Sequence, residues 1–304
     1  MLCTWLSREG FWLWKASCDR VPKALEKNME MNIGIFVDSL RRPISEGLEI
    51  AAGLKVRSFQ VYVTRGEMLA ANMNPQARAG FVKRYRDLGL ELSATCGDFG
   101  LNFGNDAALK EKEPALRDAI IQTRELGASI MTTHIGALGE DPDGVKERTM
   151  TANLKRLADF AAGHGVTLAT ETGLESGVTL RRIIEKAGSK GIGVNFDPAN
   201  LVMRGFDHLA AVRELFPFIV HTHAKDGVRR GDKRLEVPLG EGGVDFPRYV
   251  GLLTGLGYRG AYTIEREVGE DPVATIGKAV SFLRALRPIA PDATGAAQVR
   301  GGAQ

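Results

Sequence analysis

Cysteine is scarce in this chain of 304 residues: there are three, at positions 3, 18 and 96. An odd, scattered set argues against a disulfide framework and fits a reducing compartment. Long apolar runs are missing too. None approaches the roughly 18 to 20 residues that span a bilayer, so no membrane segment is expected. Nor is there an excess of one charge: 40 Lys and Arg stand against 37 Asp and Glu, a net +3 that gives no reason to expect a nucleic-acid partner. Aromatic residues make up only 7% of the chain, and all three tryptophans (Trp5, Trp12, Trp14) fall in the first thirty residues. There Arg8, Glu9, Lys15, Asp19 and Arg20 break up the apolar residues, so no clean signal-peptide core is present and a cytoplasmic location is expected.

Met29 and Met31 stand just before the first strand-like segment, so residues 1–30 read as an N-terminal extension outside the fold. Residues 31–288 then form one catalytic domain. Residues 289–304, with Pro291, Gly295, Gly301 and Gly302, read as a loose tail.

What the chain does contain is alternation. Eight β-branched or apolar segments, beginning at Asn32, Ser58, Glu91, Ser129, Val166, Gly193, Ile219 and Gly260, are each followed by a helix-like stretch. Pro43 and Pro75 mark helix starts, and Gly163 and Gly165 mark a helix end. Strict alternation implies a parallel sheet, and eight repeats imply closure into an α/β single (β/α)8 TIM barrel. An open dinucleotide-binding sheet is disfavoured, because the first strand–helix connection, Asp38-Ser-Leu-Arg-Arg-Pro43, has no glycine.

Barrel active sites lie at the C-terminal ends of the strands. Strands five to eight end in Thr170-Glu171-Thr172, Phe196-Asp197-Pro198, Thr222-His223-Ala224 and Ile264-Glu265-Arg266. Each acidic residue alone reads as a loop residue or helix cap, and a lone histidine reads as structural. Together they place Glu, Asp, His and Glu on one rim, where carboxylates on buried strands need a compensating cation. Strand alternation puts Ala169, Asn195, His221 and Thr263 one layer deeper on the same face, so His221 reads as support for His223. Asp98, Glu67 and Tyr62 lie near strands two and three, and no spacing selects them.

Over about residues 32–287 the chain resembles the xylose-isomerase-like barrels of sugar phosphate isomerases and epimerases, including ketose 3-epimerases. The resemblance implies that Glu171, Asp197, His223 and Glu265 hold a metal and that Glu171 and Glu265 flank the substrate as catalytic bases. It also implies a substrate contact for Arg229, six residues after the ligand histidine. Where the ketose epimerases carry a substrate-contacting histidine, this chain has Asn200. His134, Lys225 and Glu241 are further rim candidates for substrate binding, with a structural histidine as the alternative for His134 and exposed loop polarity for Lys225 and Glu241.

Three carboxylates and one imidazole favour one Mn²⁺ per chain and permit Mg²⁺, Co²⁺ or Zn²⁺. With that ion, a keto-sugar's C–H can be acidified next to its carbonyl, and an enediolate follows. Return of the proton to the other face gives epimerisation, the expected activity. Return at the adjacent carbon gives aldose–ketose isomerisation, and loss of a β-hydroxyl gives an inosose-dehydratase-like lyase. An endonuclease IV-like phosphodiesterase needs several further His and Asp ligands for a multi-zinc centre, whereas the chain has five histidines and Asn200 stands where such an enzyme would use one. A non-catalytic sugar-binding barrel would not need both glutamates. The partner is then a small carbohydrate, with homo-oligomerisation left open. Deleting residues 1–28 is expected to leave the soluble fold intact, and loss of the far-ultraviolet circular dichroism of the folded chain would refute the assignment of those residues to an extension.

Overall fold

The computed structural model describes residues 31–138 and 142–289; the expected extension and all but the first residue of the tail lie outside them. Eight parallel strands close into a barrel: β1 (Ile33–Phe36), β2 (Ser58–Tyr62), β3 (Glu91–Cys96), β4 (Ile130–Thr133), β5 (Thr167–Glu171), β6 (Ile192–Phe196), β7 (Ile219–Ala224) and β10 (Tyr262–Ile264). β1 pairs with both β2 and β10, which closes the ring. Between β7 and β10 the chain adds an antiparallel hairpin, β8 (Asp226–Arg230) and β9 (Lys233–Val237).

The helices form where the alternation places them: α1 (Ile44–Gly53), α2 (Pro75–Asp87), α3 (Asp106–Glu125), α4 (Val145–Gly163), α5 (Gly177–Ala187), α6 (Pro198–Arg204), α7 (His208–Leu215), α8 (Phe246–Leu256) and α9 (Pro272–Ala285). Their starts are fixed by side-chain caps that satisfy otherwise orphaned backbone N–H groups: Asn74, Asn105, Ser176, Asp207, Asp245 and Asp271 each accept from the first turn. Proline at the first turn of α2, α6, α8 and α9 loses nothing, because its missing N–H has no partner there.

Two features depart from the sequence reading. The single helical region expected before Phe216 is two helices, divided where Gly205 takes φ +82° and ends α6. The β8–β9 hairpin was not anticipated, because its residues are mostly charged and show no apolar alternation. Its signal was Gly231-Asp232, a two-residue turn with φ +60° at the glycine.

The apolar core lies between strands and helices, with Phe59, Val61, Leu168, Val194, Leu116, Leu154, Ile183, Tyr249 and Val280 among its buried members. Inside the barrel the filling is polar as well as apolar: Gln60, Asn195, His221 and Thr263 are fully or almost fully buried there. The helices pack closely on the sheet just before β6. A Cβ built on Gly191 would stand 2.1 Å from the Ala158 carbonyl oxygen in α4, an approach that only glycine allows. Gly191→Ala is therefore expected to destabilise the fold by about 1–3 kcal/mol, read as a lower urea midpoint with an unchanged slope.

Candidate metal centre and active site

Glu171 ends β5, Asp197 follows β6, His223 lies in β7 and Glu265 follows β10, so the closed sheet brings four neighbouring strands' residues to one point. One donor atom from each lies within 4.8 Å of every other, and all four residues are buried. His223 Nδ1 stands 3.2 Å from Glu265 Oε2, 3.6 Å from Glu171 Oε1 and 3.8 Å from Asp197 Oδ2. Asp197 serves two roles. Its Oδ1 accepts from the N–H groups of Ala199 and Asn200 and caps α6, which leaves Oδ2 for the cluster.

Beneath the cluster a hydrogen-bonded layer sets the orientation. Gln60 Oε1 lies 2.9 Å from His223 Nε2, and as a pure acceptor it takes the proton there and turns Nδ1 toward the carboxylates. Gln60 is in turn held by its Nε2 donating to Thr132 Oγ1. Asn195 donates from Nδ2 to Glu171 Oε2 at 3.0 Å and accepts at Oδ1 from His221 Nδ1 at 2.8 Å. The other ring nitrogen of His221 meets Thr263 Oγ1 at 3.0 Å. His221 thus lies one layer below the cluster with both nitrogens engaged. Burial, then the neighbouring His223, holds its pKa well below the ordinary value, so it is a neutral brace.

Charge is incompletely balanced at the mouth. Lys225, almost fully buried, places Nζ 3.0 Å from Glu265 Oε2 and 4.0 Å from Asp197 Oδ2, and it also pairs with Glu267. Nearby Arg266 and Glu236 neutralise each other at 2.6 Å. Without an ion, burial is overcome by Glu265 and Glu171, which raise His223 well above its ordinary range and keep it charged. With the imidazole neutral, as a metal ligand must be, three buried carboxylates against one lysine leave two negative charges, the deficit that one divalent cation fills. Two atoms point the same way: His223 Nδ1 and Asp197 Oδ2 are sealed from solvent and make no hydrogen bond. Donors on opposite sides of a cation at about 2.2 Å each stand about 4.4 Å apart, close to the spread of this cluster. The residues therefore fit one divalent metal ion. Burial works against the charge of Glu265, yet His223 and Lys225 outweigh it and hold the carboxyl below the ordinary carboxylate range.

The remaining rim candidates fall in different places. His134 donates toward Asp98 Oδ2 at 2.8 Å and lies 3.7 Å from Glu171 Oε1 with its other nitrogen. The charge of Glu171, opposed by burial and assisted by Asp98, raises His134 to about 9. Asn200 is turned onto Glu171 Oε1 at 3.0 Å and Thr172 O at 3.2 Å, so it braces a cluster residue. Arg229 is exposed on the hairpin and donates to the carbonyls of Gly231 and Arg204, the latter at the end of α6, instead of converging on the cluster. Glu241 is exposed in the loop that wraps Asp226, whose carboxylate accepts from the N–H groups of Gly227, Gly240, Gly242 and Val244. Sequence reasoning did not find Gln60 or Glu175, and it left Asp98 unselected. Only the pairing of β2 with its neighbours brings Gln60 inward, and no spacing marks it.

One wall is aromatic. Phe36 packs against Tyr62 with the rings tilted by 35° and their centres 4.7 Å apart, and it lies 6.0 Å from the His223 ring, while Arg65 covers a face of Tyr62 at 3.7 Å. Such a wall keeps water from one side of the cluster.

A family model for xylose isomerase-like TIM barrels matches residues 48–286. The chain belongs to that family. A solved xylose isomerase domain protein from Planctomyces limnophilus superposes with a TM-score of 0.74 at 25% identity, over 83% of this chain and 96% of that one. The L-ribulose-5-phosphate 3-epimerase of Escherichia coli is 26% identical over 259 residues, 79% of this chain and 88% of the relative. The inosose dehydratase of Geobacillus thermodenitrificans is 28% identical over 138 residues, 39% of this chain. Three curated relatives are spanned over only 61%, 46% and 42% of their length. This xylose isomerase-like chain is thus related to sugar epimerases and isomerases, and no helix among its described residues is long and apolar enough to cross a membrane.

The layered geometry gives a graded expectation for metal affinity. His223→Ala removes Mn²⁺ binding, whereas Asn195→Ala and His221→Ala weaken it by about 10–100-fold. Calorimetric titration with Mn²⁺ checks this, and equal losses in all three variants would contradict the division into layers.

Proposed function

We propose that this barrel is a divalent-metal-dependent epimerase acting on a ketose or keto-sugar, with Mn²⁺ the favoured ion and Mg²⁺, Co²⁺ or Zn²⁺ usable. The observation that carries the reading is the converging Glu171, Asp197, His223 and Glu265, with His223 Nδ1 and Asp197 Oδ2 shut off from water and without a hydrogen bond. A bound divalent ion supplies a Lewis acid that polarises a substrate carbonyl and acidifies the adjacent C–H. The work then falls on the side chains. One of Glu171 and Glu265 removes that proton to give the enediolate, and the other returns a proton to the opposite face, inverting the carbon. Asn195 and Asn200 hold both oxygens of Glu171 in place, and Lys225 holds Glu265. His134, oriented by Asp98, presents an N–H beside Glu171 for a substrate oxygen, and the Phe36–Tyr62 wall limits water.

A second outcome of the same enediolate is loss of a β-hydroxyl. It is supported by the similarity to inosose dehydratase and by Lys225, whose ammonium lies at the cluster and can give the departing hydroxide a proton to form water. Glu265 and then Asp197, working against burial, hold that ammonium protonated well above its ordinary range.

Incubating keto-sugars with the Mn²⁺-loaded chain in D₂O separates these readings. Epimerisation places deuterium at one carbon of the product, whereas dehydration gives a product lighter by one water, both read by mass spectrometry. Glu171→Gln and Glu265→Gln, assayed at saturating Mn²⁺, are each expected to lower kcat by about 10²–10⁴-fold. Near-normal turnover by either variant would rule out the two-glutamate mechanism.

A further inference from the structure

We infer that Glu175 and Arg204 form a second binding subsite at the lip of the metal centre, one that takes an uncharged hydroxyl at the far end of the substrate's carbon chain. The inference rests on the keto-sugar reading and adds a specificity determinant to it.

The subsite follows from the way α6 leaves the cluster. The helix starts at Asp197, and Asn200 and Arg204, four residues apart, lie one above the other on the same face. Asn200 meets Glu171 and Thr172 on the loop after β5, and Gly173 passes so close that its Cβ would stand 3.4 Å from Asn200 Cβ. Arg204 stands one turn further out, about 5.4 Å along the axis, beside the next part of the same loop, where Glu175 lies.

Both side chains are without partners. Glu175 is only 8% exposed, yet among the described residues its carboxylate makes no hydrogen bond and no ion pair. Burial raises it to about 7 even though the charges of His134 and Arg204 pull the other way. Arg204 is half-buried, and its guanidinium likewise has no carboxylate or hydrogen-bond partner among the described residues. Burial and the like charge of nearby Arg234 depress it. The two charges are close enough to act on each other, yet no ion pair joins them. A carboxylate as far withdrawn from water as that of Glu175 is costly to leave without a partner.

The chemistry of a bridging group is narrow. It must donate to a carboxylate and accept from a guanidinium, which a hydroxyl does with one oxygen. A phosphate or carboxylate would satisfy Arg204 but would be repelled by Glu175 and by the cluster carboxylate of Glu171. An apolar group would satisfy neither.

The test is calorimetric binding to the full chain loaded with Mn²⁺, using D-fructose, D-psicose, D-tagatose and L-sorbose, each beside its 6-deoxy counterpart and its 6-phosphate. The expected result is that at least one sugar binds about 10–100-fold more tightly than its 6-deoxy form. Glu175→Leu and Arg204→Met each abolish that preference while the bound Mn²⁺ and the affinity for the deoxy sugar stay unchanged. Glu175→Gln, which keeps an accepting oxygen, retains part of it. Equal weakening of parent and deoxy sugar would indicate a structural effect and overturn the subsite, as would an unchanged preference, tighter binding of the 6-phosphate, or no binding by any sugar. Failure here is separable from failure of the proposed reaction. Deuterium exchange without a hydroxyl preference overturns only the subsite, and a hydroxyl preference without exchange overturns only the reaction.

Discussion

Mutual repulsion among Glu171, Asp197 and Glu265 governs the catalytic end of this barrel. Three carboxylates sit within a few ångströms in a region almost sealed from water, and without compensation they would protonate or separate. Each is instead tied down by a donor, and Asp197 keeps Oδ2 free of hydrogen bonds for the cluster. Asn195 and Asn200 hold Glu171, the first turn of α6 holds Asp197, and Lys225 holds Glu265. These restraints hold four possible ligands together, and with His223 neutral the two charges left over match one divalent cation.

Holding such a cluster at fixed geometry requires a rigid floor, which explains why the barrel interior departs from a purely aliphatic filling. Gln60, Asn195, His221 and Thr263 form a connected layer spanning β2, β6, β7 and β10, and Ser93 of β3 reaches it through His221. Every additional bond in the layer restricts a neighbour, so the orientation of His223 depends on residues from the opposite side of the ring. The β8–β9 hairpin extends the same logic outward. Glu236 of β9 accepts from Arg266 and from the backbone N–H of Glu267, so the hairpin anchors the loop that follows Glu265.

Much of this was legible from one-dimensional pattern. The strand–helix alternation gave the barrel, and strand ends gave Glu171, Asp197, His223 and Glu265, because a parallel barrel sends all C-terminal strand ends to one rim. The two-residue side-chain period placed Asn195, His221 and Thr263 below them. Arg229 shows the limit of spacing. Its distance from His223 in sequence suggested a substrate contact, but the hairpin that intervenes carries its guanidinium to the carbonyls at the end of α6. Asn200 likewise turns toward Glu171, a contact set by the angle between α6 and β5 and invisible in either segment alone.

The sequence by itself determined the architecture, the four converging ligand types and the layer beneath them, since these depend on local periodicity and on a chain order that repeats eight times. Tertiary structure alone decided which atoms remain unpaired. That Gln60 lies against His223 Nε2, that Lys225 sits beside three buried carboxylates, and that Glu175 is buried without an ion pair among the described residues all depend on distances between residues far apart in the chain. Burial converts those distances into energy, because a polar atom withdrawn from water must find its partner in the protein or in what the protein binds.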